Sequence, residues 1–120
     1  MVKWDVWELA QDQARNSTDP SQPNDATKPR RYYIIISPNA YIQTAKVAVC
    51  IPIQTVSDGS CFSVLIHGKP SRAGILYNSY ARCTDYYTLD KNLFKKRMGH
   101  LTKQEADKVE AAIKDFYELI

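Results

Sequence analysis

The chain has 120 residues, of which 44 % are hydrophobic, enough for one domain that buries a core without metal or disulfide cross-links. No apolar run approaches the roughly 20 residues that cross a bilayer, and residues 1–5 lack a secretory signal, so we expect a cytoplasmic protein without membrane contact. The formal net charge of +3 is compatible with a polyanionic partner but does not require one.

The cysteines support the same location. Cys50, Cys61 and Cys83 cannot all pair within one chain, and two of them lie in apolar runs typical of strands. A reduced thiol in such a run behaves as a small core residue. We therefore expect buried, unreactive thiols in a reducing compartment.

The first half of the sequence predicts strands around a long polar segment. Residues 4–9 combine aromatic and branched side chains with polar ones, as a strand does. Residues 10–29 are polar, contain three prolines and predict a long loop, a kind of segment that is often functional. Residues 31–37 form a continuous apolar strand, and residues 47–55 alternate apolar side chains onto one face.

The second half predicts shorter elements. Residues 57–60 are a turn cluster, and residues 61–66 follow as a strand. Residues 75–88 predict a tyrosine-rich strand with an internal break, and residues 90–101 predict a basic connection. We expect this region to complete a small sheet.

A C-terminal helix at residues 102–118 is the clearest local prediction. Thr102 followed by Glu105 forms a capping box. An apolar stripe at helical spacing comprises Val109, Ala112, Ile113, Phe116 and Ile120. Short strands and one terminal helix predict a mainly β, α+β domain over residues 1–120, with the helix packed on a small barrel.

Several segments carry a family resemblance. They are residues 3–7 (K-W-D-V-W), 31–41 (R-Y-Y-I-I-I-S-P-N-A-Y), 49–54 (V-C-I-P-I-Q), 82–91 (R-C-T-D-Y-Y-T-L-D-K) and 96–102 (K-R-M-G-H-L-T). In that order they are similar to R-G-D/E-V/I-W/Y, R-P-V-L-I-V-T-P-A-A-F-N, V-V-V-P-V-T, R-C-D-Q-P-R-T-I-D and K-x-I-G-x-L-S. These are patterns of the MazF/PemK/Kid family of type II toxins, which the chain resembles over nearly its whole length.

The chain also departs from the family pattern. Tyr32 stands where the family has proline after its arginine, and Gln54 replaces a threonine, with Thr55 next in the chain. The G-x-E-Q element of the first loop is absent, and the loop is longer. These changes leave the expected fold intact but affect the region of the expected site.

The resemblance implies an SH3-like small β-barrel of the CcdB/PemK type and an mRNA interferase activity. Such an endoribonuclease cleaves single-stranded RNA by attack of the 2′-hydroxyl, without metal or cofactor, and leaves a 2′,3′-cyclic phosphate and a 5′-hydroxyl. The resemblance also implies a homodimer and a cognate antitoxin protein.

Arg31 and Arg82 are the arginines that the resemblance places at the scissile phosphate. A guanidinium suits that role because its planar donor fork matches phosphate oxygens. In an unbroken strand, Arg82 shares a face with Tyr80, Thr84 and Tyr86, while Asp85 points to the opposite face unless a bulge re-aims it. The alternative is an exposed face on which an arginine stacks against tyrosine.

Further candidates are weaker. Gln54 and Thr55 could hydrogen-bond the phosphate or a base, and Arg30 and His67 could contact the substrate. No general base is evident. Histidines at positions such as His67 and His100 are more often surface or capping residues than catalysts, and a His–Lys–Tyr ribonuclease arrangement stays open. Metal-binding motifs are absent, and no metal site is expected.

Two competing functions keep the same fold. The first is a gyrase-poisoning toxin of the CcdB type, but those toxins use a tryptophan near the C-terminus, whereas this chain ends Y-E-L-I. The second is a module that binds RNA or a peptide without cutting it. Metal-free RNA cleavage separates both from the endoribonuclease.

Overall fold

The computed structural model describes residues 1–9 and 31–118, and within them seven strands form one antiparallel sheet with two helices. The predicted loop at 10–29, Arg30 and Ile120 lie outside these residues. The elements are β1 (Asp5–Leu9), β2 (Tyr32–Ile35), α1 (Asn39–Thr44), β3 (Val47–Gln54), β4 (Ser63–Ile66), β5 (Ser79–Arg82), β6 (Tyr87–Asp90), a 3-10 turn (Lys91–Leu93), β7 (Phe94–His100) and α2 (Lys103–Glu118).

The sheet order is β4-β5-β3-β2-β1-β7, and β6 also pairs with β3. One edge of β3 is shared, because Val47–Cys50 pair with β6 while Ile53 and Gln54 pair with β5. Among the described strands, β4 pairs only with β5 and β7 only with β1, so the sheet curves without closing. The predicted mainly β fold with a C-terminal helix is confirmed.

Alternation along the strands gives the sheet two apolar faces. On the face covered by α2, the core includes Val6, Ile34, Ile51, Ala81, Cys83 and Val109. On the other face, a second cluster comprises Leu9, Tyr33, Ile35, Ile42, Ala48, Cys50 and Phe94. Neighbouring residues of β2 and β3 therefore belong to different clusters, as a period of two requires.

Helix α2 begins as the sequence predicts. The Glu105 N–H donates to Thr102 Oγ1 at 3.2 Å, and the Thr102 N–H donates to Glu105 Oε1 at 3.0 Å. The second carboxylate oxygen of Glu105 accepts the His67 N–H at 2.7 Å. The buried Glu105 thus caps the helix and fixes it to the end of β4.

One prediction of secondary structure is wrong. The basic connection is strand β7, at the edge of the sheet, where its exposed Lys95 and Lys96 discourage pairing with another chain. The error arises because polar residues at a sheet edge mask the strand pattern. The internal break predicted in the tyrosine-rich segment is a turn at Cys83 and Thr84, which separates β5 from β6, and β5 begins only at Ser79.

The thiols are placed largely as expected. Cys50 and Cys83 are fully buried, whereas Cys61 is exposed. Burial raises the pKa of Cys50 to about 12 and the pKa of Cys83 to about 12. None of the helices in the described part of the chain is long and apolar enough to span a membrane.

The start of β1 contains an unusual backbone conformation. Trp4 has φ = 73°, in the left-handed region that favours glycine, and the family pattern has glycine at this position. Two hydrogen bonds hold it, from the Trp4 N–H to Ile35 O at 2.7 Å and from the Leu101 N–H to Trp4 O at 3.0 Å. The next residue, Asp5, is buried beside Arg97, with Asp5 Oδ1 3.1 Å from Arg97 Nη2.

Candidate functional site

Arg82, the last residue of β5, meets acceptors from three directions. Its Nη1 donates to Gln54 Oε1 at 3.2 Å. Its Nε lies 3.3 Å from Asp85 Oδ2, and its Nη2 lies 3.8 Å from Asp58 Oδ2. We call Gln54, Asp58, Arg82 and Asp85 the Arg82 cluster. Each nitrogen of the guanidinium faces a different residue, through one hydrogen bond to Gln54 and two ion pairs to the carboxylates.

Asp85 reaches this cluster through a turn. Strand β5 ends at Arg82, and the Asp85 N–H donates to Arg82 O at 3.2 Å. The Thr84 hydroxyl donates to Asp85 Oδ1 at 3.2 Å and so orients the carboxylate. Of the two alternatives that the sequence left open for Asp85, the structure has the re-aimed carboxylate, with a turn in place of a bulge.

Asp58 is the member of the cluster that sequence reasoning missed. Its Oδ1 accepts the Ser60 N–H at 2.9 Å, the Ser60 hydroxyl at 2.7 Å and the Ser63 hydroxyl at 2.9 Å. These hydrogen bonds, first that of the Ser60 N–H, lower the pKa of Asp58, and the charge of Arg82 contributes less. The turn signal at 57–60 was visible, but the pairing of Ser63 with Arg82 that brings this turn to the cluster was not.

The strand register brings Arg31 to the same region. Tyr32 pairs with Ile53, and the Leu9 N–H donates to Arg31 O at 2.9 Å, which continues the ladder beyond β2. Extended by one residue, the same register would place Arg31 opposite Gln54, so that Gln54 would lie between the two arginines that the resemblance singled out.

Arg31 also faces a tyrosine in the cluster of apolar residues beneath it. Burial raises the pKa of Tyr33, while a hydrogen bond to Arg31 and the charge of that arginine act in the opposite direction. Residues two apart in a strand share a face, so Arg31 and Tyr33 lie on the face away from α2. The same alternation places Gln54, Tyr80 and Arg82 on this face.

The other predicted residues fall in different places. Tyr80 pairs directly with Gln54, whereas Thr55 is exposed beyond the end of β3. Tyr86 does not share the face of Arg82, because the strand has ended; its ring packs against Tyr117 of α2, with centroids 5.4 Å apart. His67 follows the far end of β4, roughly 13 Å from the Ser63 end at strand spacing.

The electrostatics of the site are balanced. Arg82 faces two carboxylates, and Arg31 adds a second positive charge on the same face. The arrangement offers guanidinium donors for a phosphate and carboxylates that can exchange protons. In the described residues, no three His, Cys, Asp or Glu side chains are grouped so as to hold a metal ion.

A cavity of about 360 Å³ lies elsewhere, between the N-terminal segment, α1 and α2. Its walls are mainly apolar and include Trp4, Ile36, Tyr41, Ile113 and Tyr117. It shares no residue with the Arg82 cluster. The cluster, with its opposed charges and hydroxyls, is therefore the better candidate for chemistry.

The fold is similar to solved structures of bacterial toxins. A mycobacterial endoribonuclease in complex with its cognate antitoxin has a TM-score of 0.74 at 17 % identity, covering 100 % of this chain and 97 % of that one. Mycobacterium tuberculosis toxin MazF-mt6 has a TM-score of 0.71 at 14 % identity, covering 95 % and 96 %. MazF from Deinococcus radiodurans has a TM-score of 0.69 at 14 % identity, covering 98 % and 96 %. At these identities the likeness establishes the fold.

Sequence comparison gives the family. No curated protein sequence matches the chain. The family model described as PemK-like, MazF-like toxin of type II toxin-antitoxin system matches residues 4–117, nearly the whole chain. The chain therefore belongs to the PemK-like, MazF-like family of toxins of type II toxin–antitoxin systems.

Proposed function

We propose that this toxin is a metal-independent, sequence-selective endoribonuclease that cleaves single-stranded RNA. The observation that carries the proposal is the hydrogen bond from Arg82 to Gln54, on the face of the sheet that Arg31 shares by strand alternation. Two guanidinium groups on one polar face suit a phosphodiester. Structural neighbours described as endoribonucleases support the same activity.

The chemistry follows from the groups present. Arg31 and Arg82 would hold the non-bridging oxygens and stabilise the charge of the phosphorane. The 2′-oxygen forms a bond to phosphorus and gives its proton to a carboxylate, for which we propose Asp85, whose Oδ2 lies 3.3 Å from Arg82 Nε. The bond from phosphorus to the 5′-oxygen breaks, and that oxygen takes a proton from solvent. The products are a 2′,3′-cyclic phosphate and a 5′-hydroxyl.

The aromatic and polar surroundings of the Arg82 cluster suit unpaired RNA. Tyr80, beside Gln54, offers a ring on which a base can stack. We further propose that the chain acts as a homodimer and is inhibited by a cognate antitoxin protein. One neighbour was solved with its cognate antitoxin, and an acidic segment of such a protein would compete with RNA for the same arginines.

One observation favours a second function. Asp58 and Asp85 together outweigh the charge of Arg82, which weakens the attraction of the site for phosphate. A barrel that binds RNA or a peptide without cutting it, or a toxin of the CcdB type, would tolerate this balance. The experiment must therefore separate binding from cleavage.

Incubation of the purified chain with mixed single-stranded RNA in EDTA tests the proposal. We expect fragments that end in 2′,3′-cyclic phosphate and begin with a 5′-hydroxyl. The double variant Arg31→Ala/Arg82→Ala is the control for contaminating nucleases and should leave the RNA intact. RNA that stays intact but is bound by the wild-type chain would support the RNA-binding module. RNA that is neither cleaved nor bound would exclude both the endoribonuclease and the RNA-binding module.

A further inference from the structure

We propose that Asp58 is a positioning residue that fixes Arg82 for the reaction while lowering the affinity of the site for RNA. The inference rests on the proposed function and deepens it. Neither the family pattern nor the sequence analysis assigns Asp58 a role. Asp58 is expected to favour the chemical step and to oppose RNA binding, so measurements of kcat and of RNA affinity separate the two effects.

The two carboxylate oxygens of Asp58 make different contacts. Oδ1 is saturated by three donors from Ser60 and Ser63, which hold the carboxylate in place whether or not Arg82 is present. Oδ2 is left to face the Nη2 of Arg82. The carboxylate is thus preorganised by its own turn, and the arginine aligns to it.

Asp58 differs from the other carboxylate in the cluster. Asp85 is three residues from Arg82 and follows it through a local turn, so it moves with the end of β5. Asp58 belongs to the turn between β3 and β4, and the pairing of Ser63 with Arg82 sets its distance from β5. Asp58 therefore fixes the guanidinium against a separate part of the sheet.

The distance between Arg82 Nη2 and Asp58 Oδ2 explains how Asp58 can both orient the guanidinium and oppose the binding of RNA. At 3.8 Å, Nη2 and Asp58 Oδ2 attract each other but lie beyond hydrogen-bond range. The Nη2 hydrogens are thus left for a phosphate oxygen. A phosphate bound there would lie close to the carboxylate and be repelled by it. Removal of the charge should tighten RNA binding, while loss of orientation should slow the chemical step.

The isosteric variant Asp58→Asn tests both effects. The asparagine oxygen can keep the hydrogen bonds from Ser60 and Ser63, while its amide replaces the charged oxygen that faces Arg82. With a non-cleavable 2′-O-methyl RNA, we expect about five- to tenfold tighter binding at low salt. With cleavable RNA, kcat should fall about ten- to a hundredfold, because misorientation costs rate. Asp107→Asn, at an exposed position of α2 that has no contact with the cluster among the ion pairs and hydrogen bonds described, makes the same change of charge and should alter neither quantity.

A second variant separates orientation from charge. Ser63→Ala removes one donor to Asp58 but keeps the carboxylate. We expect kcat to fall without any gain in RNA affinity. If Asp58→Asn lowers affinity and kcat together, or changes neither, the inference is wrong. Tighter binding in Ser63→Ala would also contradict it.

Failure of the proposed function is distinguishable from failure of this inference. If the wild-type chain neither cleaves nor binds RNA, the endoribonuclease is excluded, and the Nε–H NMR resonance of Arg82 decides the positioning role. A single sharp resonance that broadens or shifts in Asp58→Asn, but not in Asp107→Asn, supports positioning. An unchanged resonance overturns it.

Discussion

Arginine–aspartate contacts occur at two places among the described residues, and the two places differ in burial. At the start of β1, the Asp5 side chain is 2 % exposed and its partner Arg97 is 48 % exposed. In the Arg82 cluster, the arginine is 28 % exposed, and Asp58 and Asp85 are 24 % and 32 % exposed. The first pair buries a charge inside the fold, whereas the second leaves all three side chains partly exposed.

The difference in burial indicates that the Asp5–Arg97 pair and the Arg82 cluster have different roles. The Asp5 carboxylate also accepts the Val2 N–H at 3.0 Å, and Arg97 comes from β7, so the pair joins the two last strands of the sheet. A buried carboxylate that loses its partner is strongly destabilising. Half-exposed partners can be replaced by water at little cost. We expect the Asp5 pair to control stability and the Arg82 cluster to control activity.

The largest expected effect is on activity at Arg82. Arg82→Ala should lower RNA cleavage about 100- to 1000-fold, since one oriented donor to the developing charge is lost. Its unfolding free energy should change by no more than about 1 kcal/mol, because water can reach both carboxylates. Single-turnover cleavage and urea denaturation measure the two quantities. A variant that cuts RNA at the wild-type rate would remove Arg82 from the site.

Replacing the arginine of the buried pair with Asp5 should have the opposite result, a loss of stability without a loss of activity. Arg97→Ala should lower the unfolding free energy by about 3 kcal/mol, because the buried Asp5 carboxylate is left without its cation. Cleavage per folded molecule should be unchanged. Lys95→Ala, at an exposed position of the same strand, is the matched control and should be neutral in both assays. Equal stability of the Arg97 and Lys95 variants would show that the buried pair is not an anchor.

The sequence predicts local features of this fold better than pairings. The capping box of Thr102 and Glu105 was readable because both partners lie within one turn of helix. The contact of Asp58 with Arg82 was not, because it depends on the register of β4 against β5. Residues far apart in the chain meet through the sheet, and no local pattern encodes which strands become neighbours.

The same distinction between local features and strand pairings applies to the candidate site. Arg31, Gln54 and Arg82 were found through the family resemblance, and the register then places them on one face. Asp85 was identified, but its direction was not, since nothing in the composition shows that β5 stops at Arg82. The second partner of Glu105, the backbone of His67, was equally hidden. Sequence reasoning thus supplied residue types, and the pairings supplied their geometry.

A third prediction concerns Trp4, next to the Asp5 anchor. At φ = 73° a residue with a side chain is strained, so Trp4→Gly should be more stable than Trp4→Ala by about 0.5 to 1 kcal/mol. Both should be less stable than wild type, because the Trp4 ring packs against the core. Urea midpoints measure the order. Trp7, in extended β1, gives the control: there Ala should be more stable than Gly. The same order at both positions would contradict the strain.

The smallest effect tests whether Arg31 faces the site side of the sheet. The folded pKa of Tyr33 is raised above 10.0 by burial, and Arg31 opposes that rise, so Arg31→Ala should raise the Tyr33 pKa further. The Tyr33 pKa is measured by alkaline titration of phenolate absorbance. Wild type and Arg31→Ala are each compared with the same protein carrying Tyr33→Phe, and the difference in absorbance is the signal of Tyr33. Because the unfolded tyrosine loses its proton first, the unfolding free energy should fall as pH rises above about 10, more steeply in Arg31→Ala. Arg82→Ala is the control and should leave Tyr33 unchanged. A Tyr33 pKa that stays constant or falls without Arg31 would place that guanidinium elsewhere, and the two arginines could then not share a phosphate.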